Sequence, residues 1–165
     1  MKKTPSKITP GKNSSKMAID LQLAGFDDVA DGAEVPGLAA IDWWVTETFL
    51  AIDRSPENLT VRVVNEEEIT ELNHRYRGKD NPTNVLAFPF ESVAEVDYHS
   101  LGDIVICFTV VKNESNQQHK PVKSHFAQMV IHGTLHLCGF DHQTDDQAAA
   151  MEDIEKSILA NIGVN

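Results

Sequence analysis

Apolar and polar residues alternate through Ile19-Asp20-Leu21-Gln22-Leu23, a period of two that predicts a half-buried strand. From Gly25 to Gly37 the chain is a polar linker with three glycines. The period then changes. Leu38, Ile41, Val45, Phe49 and Ile52 recur at steps of three and four, which predicts a first helix to about Ala51. Of its two neighbouring tryptophans, Trp43 and Trp44, at least one is expected in the core. Ser55-Pro56-Glu57-Asn58 reads as a turn and the β-branched run Leu59–Val64 as a strand. Asn65, with Glu68 three residues on, resembles a capping box, and Glu66, Glu67 and Glu68 suit the positive end of a helix. Ile69, Leu72 and Tyr76 are its expected buried stripe.

A short strand follows at Val85–Phe90, where Pro89 points to a sheet edge or a strand end. Residues 91–100 read as a loop. Leu101–Cys107 is the most apolar strand and is expected at the centre of the sheet. Residues 109–119 are polar and helical in pattern, and Pro121 suits the start of the next helix. That helix has Val122, Phe126, Met129, Val130 and Leu137 on its apolar face. Thr144-Asp145-Asp146-Gln147 is a capping box for a last helix, lined by Met151, Ile154, Ile158 and Ile162 and stopped by Gly163. Strands and helices interleave without an internal repeat. The expected fold is α+β, a single mixed sheet of about four strands covered by about five helices.

Composition narrows the class. With 165 residues and 41% hydrophobic residues, residues 17–165 are expected to form a single domain with a proper core. No apolar run approaches the roughly 20 residues of a membrane span. No apolar segment follows the basic start, so a secretory signal is not expected. Cys107 and Cys138 form no CxxC pair, which fits a reduced, cytoplasmic protein. Residues 1–16 hold five lysines, no acid and one isoleucine, and are expected to be a disordered basic tail. Three readings of that tail remain: a dispensable leader with Met17 as the natural start, a nucleic-acid-contacting arm, or a transit peptide, the last lacking arginine and amphipathic period. The rest of the chain carries nine basic and 25 acidic residues, a net charge of −16. Such a body argues against coating nucleic acid with its whole surface, so any nucleic-acid function must come from a few placed cations.

The chemistry concentrates at His132-Gly133-Thr134-Leu135-His136-Leu137-Cys138-Gly139-Phe140-Asp141-His142. His132 and His136, four apart, share a helix face. Gly139 lets the chain leave the helix, and the turn can bring back His142 as a third nitrogen. Three imidazoles around one point form a zinc site with an open position for water, whose pKa the metal lowers to roughly 7. The spacing is that of a metzincin-like zinc-binding helix and turn, with one change. Gly133 stands where those proteases keep the glutamate that serves as general base. Cys138 is two residues from His136 and faces another way, so packing suits it better than ligation. His125, a step of seven before His132, shares its stripe and is a candidate outer hydrogen-bond partner or acid/base group, or a core residue. Asp141 either orients a metal-bound histidine or caps the turn. Elsewhere, His74-Arg75-Tyr76-Arg77-Gly78-Lys79 is the densest cationic stretch of the body. Arg77 suits a phosphate, whose oxygens fit a guanidinium fork, while Arg75 and Lys79 either guide a nucleic-acid backbone or are solvated surface.

These blocks carry a resemblance. His132–His142 resembles the H-G-x-L-H-L-x-G-x-D-H signature of the YbeY endoribonucleases. Leu72–Pro89 and Leu101–Ile106 resemble two further blocks of that family, in order, and the likeness runs from about Met17 to the C-terminus. Ala87 stands where the family often has serine. The resemblance implies a cytoplasmic, metal-dependent endoribonuclease specific for single-stranded RNA, with His132, His136 and His142 on one zinc ion and Arg77 as the functional arginine. It also implies a role in ribosomal RNA maturation, notably at the 3′ end of small-subunit RNA, and in ribosome quality control, with the ribosome and assembly factors as partners. Two other classes stay open on the residues themselves. One is a zinc metalloprotease or other zinc hydrolase with a base from elsewhere. The other is a non-catalytic ribosome assembly factor with a structural zinc.

Overall fold

The computed structural model describes residues 17–25, 34–91 and 100–164. The basic tail, residues 26–33 of the linker and residues 92–99 of the loop lie outside them. Four strands form one open sheet: β1 (Ile19–Leu23), β2 (Leu59–Val64), β3 (Val85–Pro89) and β4 (Gly102–Cys107). Their order is β1-β2-β4-β3. β1, β2 and β4 run parallel, and β3 pairs antiparallel with β4 at the edge. Among the described residues the helices are α1 (Leu38–Ala51), α2 (Glu66–Arg77), α3 (Phe108–Gln117), α4 (Val122–Leu137) and α5 (Asp145–Asn161). The architecture is α+β with a mixed sheet, and Pro89 ends the edge strand as its missing N–H demands.

From Ile104 to Cys107 β4 is apolar because both of its faces are covered, while Asp103 near its start is exposed. Ile104 and Ile106 enter the larger core with Val61 and Val63 of β2, Ile41, Val45 and Phe49 of α1, and Phe126, Val130 and Ile131 of α4. Val105 and Cys107 enter a smaller cluster with Val64, Leu86 and Ile69 of α2. Period-two alternation thus serves two cores at once. Each fully buried Ile or Phe contributes about 1.5–3 kcal/mol. Trp44 is 2% exposed and Trp43 48%, so one of the pair is core and the other surface.

Three local expectations change. Asn65 accepts from the Glu68 amide at 3.0 Å, but the Glu68 carboxylate pairs with Arg62 at 2.6 Å instead of closing the capping box. Tyr76, assigned to the buried stripe of its helix, is 60% exposed, and Leu38, counted in the apolar spacing of α1, is 49% exposed. Leu38 is the first residue of α1, ahead of the turn that meets the sheet. Tyr76 lies in the last turn of α2, beyond the small cluster that buries Ile69. By contrast, Thr144 and Gln147 close their capping box in full, and α5 starts where the sequence says.

α4 is the central helix. It packs against α1, α3, α5, β3 and β4, and ten of its residues are buried. One consequence decides the site. α4 crosses β4 so closely that a Cβ on Gly133 would sit 2.7 Å from Ile104 Cγ2. The position where a protease would carry its glutamate has no room for a side chain.

Candidate metal centre

α4 ends in a way that turns His142 back on itself. The amide of Phe140 donates to Leu135 and that of Gly139 to His136, both at 3.0 Å, with Gly139 at φ 95°. This pair of bonds around a left-handed residue is the Schellman motif, and it absorbs the helix's last carbonyls. Arg54 donates to the Cys138 carbonyl at 3.4 Å. Asp141 Oδ1 accepts from the His142 amide at 2.8 Å, so this carboxylate caps the turn.

The three rings converge. Their centroids lie 4.6 Å (His132–His136), 5.0 Å (His136–His142) and 5.8 Å (His132–His142) apart. One nitrogen from each falls within 4.8 Å of the other two, and the Nε2 atoms of His132 and His136 are 3.0 Å apart. Tetrahedral zinc with nitrogens at about 2.0–2.1 Å needs spacings of about 3.4 Å, within reach of small ring rotations. His132 is further fixed from behind. Its Nδ1 contacts Oε1 of Glu155, a carboxylate only 7% exposed on the inner side of α5. A carboxylate in this position can accept from an Nδ1–H of His132, the tautomer that leaves Nε2 to the cluster. Burial and the neighbouring His132 and His142 hold the His136 imidazole below its usual pKa, with Asp141 opposing. A neutral ring is the form that binds metal. The donor set and its geometry fit a divalent ion.

These rings line a cleft of about 680 Å³, the size of a small-ligand site. Tyr76, Arg77, Asn84 and Phe88 line it too. The end of α2 is held there by local bonds. α2 closes on Gly78 in the left-handed conformation, its amide donating to His74. Asn73, 1% exposed, donates to the Asn81 carbonyl at 2.8 Å, and His74 meets Asp80 at 2.9 Å. Three of the four arginines have acidic partners: Arg54 with Glu57, Arg62 with Glu68, Arg75 with Glu71. Among the described residues Arg77 has none.

The remaining sequence candidates are placed apart from the cleft wall. Arg75 is tied to Glu71 and Lys79 is exposed outside the lining. His125, 3% exposed, faces Glu114 at 3.5 Å rather than the histidine cluster. Cys138 is half-buried and outside the cluster, and burial pushes its thiol pKa up, as it does that of Cys107. Glu155 and Asn73 escaped the sequence reading. A charge at position 155 interrupts the apolar stripe Met151-Ile154-Ile158-Ile162, and that is the signal that marks it.

The YbeY endoribonuclease family profile matches residues 39–163. The chain belongs to the YbeY endoribonuclease family. The matched span includes α2, the edge strand and all three histidines, and begins after β1. A solution structure of TM1509 from Thermotoga maritima shares the fold, with a TM-score of 0.54 and 23% identity over 87% of this chain and 91% of that one. Membership supports a nuclease that acts on RNA in ribosomal RNA processing, and the three histidines are compatible with its dependence on a metal. No described helix is long and apolar enough to cross a membrane.

Proposed function

We propose that the chain is a zinc-dependent endoribonuclease that cuts single-stranded RNA in the cytoplasm. Its role is maturation of ribosomal RNA, at the 3′ end of the small-subunit RNA, and ribosome quality control, in contact with the small subunit and its assembly factors. The observation that carries this reading is an arginine, without an acidic partner among the described residues, on the same cleft as three convergent imidazoles. His132, His136 and His142 hold one ion. When bound, the ion supplies Lewis acidity and an acidified water. The chain's own groups do the rest. Glu155 fixes the His132 ring, and Asp141 holds the turn that presents His142. The Arg77 fork pairs with non-bridging phosphate oxygens and offsets the charge that grows on them. The protease alternative loses its base, because Gly133 packs on Ile104 and admits no glutamate.

Elemental analysis and cleavage of an unstructured RNA by wild type, Arg77→Ala and His136→Ala test this. Expected are one zinc per chain, cleavage by wild type that a chelator abolishes, and a loss of about 10²- to 10³-fold in kcat for Arg77→Ala with the metal retained. RNA cleavage that survives both substitutions at contaminant-free purity overturns the assignment.

A further inference from the structure

Tyr76 is the residue of the cleft that neither the core nor the metal centre explains. It is 60% exposed, although its helix buries Ile69 on the same stripe. Its ring meets Phe88 of β3, with centroids 4.9 Å apart and planes inclined at 54°. Both rings line the cleft that holds the three histidines, and Arg77 is the next residue of the chain. The lining also includes Phe140 and the apolar run of β3, but Tyr76 is the aromatic ring next to Arg77 and the most exposed of Tyr76, Phe88 and Phe140. An exposed aromatic surface beside a guanidinium that has no acidic partner among the described residues matches the two halves of a nucleotide: a flat base and a charged phosphate.

We propose that Tyr76, backed by Phe88, is a stacking platform for one unpaired base of the RNA, next to the phosphate held by Arg77. This rests on the phosphodiester reading above and adds to it the origin of single-strand preference. A paired base keeps its faces inside the helical stack and offers none to a side chain, whereas an unpaired base can splay onto an aromatic ring. Stacking tolerates any base, so the platform selects for strandedness and only weakly for sequence. Phe88 sets the angle of the Tyr76 ring, and the phenolic hydroxyl is not needed.

Steady-state cleavage of a non-self-complementary RNA by the metal-loaded full chain separates the possibilities. Tyr76→Ala should raise KM roughly 5- to 160-fold, the range of one lost base stack, with kcat within about twofold because uniform binding is what is removed. Tyr76→Phe should restore the wild-type KM. Tyr76→Leu keeps apolar cover for Phe88 and should behave as Tyr76→Ala. In an abasic scan, the one position that raises KM for wild type should have no further effect on Tyr76→Ala. An unchanged KM for Tyr76→Ala, equal values for the Leu and Phe variants, or a loss confined to kcat overturns the platform while leaving the nuclease intact. Absence of RNA cleavage by wild type overturns both.

Discussion

Glu155 is the residue whose position most exceeds what its own helix needs. A carboxylate on the inner stripe of α5 costs desolvation, and it persists because His132 Nδ1 meets it. Outer partners of this kind fix ring orientation and tautomer, and their loss typically costs 10- to 100-fold in metal affinity. Glu155→Ala is therefore expected to weaken zinc binding by about that factor, read by competition with a chromophoric chelator. If the variant melts earlier but binds zinc as wild type does, Glu155 is a packing residue only. The contrast with the histidines shows what sequence can carry. His132 and His136 are linked by helical period and His142 by a turn glycine, all within eleven residues of chain. Glu155 reaches the site from another helix, and only its place among Met151, Ile154 and Ile158 hints at it. The placement of His125 has a related reason. A step of seven keeps a side chain on its stripe but moves it about 10 Å along the axis, where it meets Glu114 instead.

At the scale of elements, the site exists because α4 lies flat on β4 and edge strand β3 ties the end of α2 to the same cleft. Gly133 is the close point of the first contact, 2.7 Å from Ile104 to a would-be Cβ. Gly133→Ala sets two effects against each other. Alanine favours a helix interior over glycine by about 1 kcal/mol, while overpacking a close contact costs about 1–3 kcal/mol. The second is expected to win, lowering stability by a net of up to about 2 kcal/mol and the melting temperature with it. A melting temperature equal to or above wild type would mean that α4 lifts off β4 at no cost. Element positions were largely legible, because period two and period three-to-four patterns are local. The bounds of α1, β2 and α5 fall where their caps, turns and stripes put them. The side-chain partners across elements were not. Nothing local says that Glu68 leaves its capping box for Arg62 on β2, or that Tyr76 outruns the cluster that buries Ile69.

For the whole molecule, the question is whether the metal holds the fold or the fold holds the metal. The core answers it. Ile104, Phe126, Val130 and Ile131 are fully buried among apolar side chains, and α4 packs against α1, α3, α5, β3 and β4. What the ion would add is a link between α4, the Gly139–His142 turn and, through His132, α5. Binding to the folded chain alone stabilises it by mass action, about 2.7 kcal/mol at a free concentration 100 times Kd. Chelation should then lower the melting temperature by several degrees and leave a cooperative transition at room temperature and above. Acid should act on the same link. His136 is held below the usual imidazole value by burial and by its two neighbours. The unfolded chain therefore takes up that proton first, at about pH 6.5. Stability from this group is full above that pH and is lost as the pH falls towards the lower value of the folded ring. Thermal melts of the metal-free protein from pH 8 to pH 5 should slope downward below about 6.5, and His136→Gln should flatten that slope. Unfolding on chelation at neutral pH would instead make the ion structural, and with it the non-catalytic reading of the site would gain the ground that Arg77 now holds.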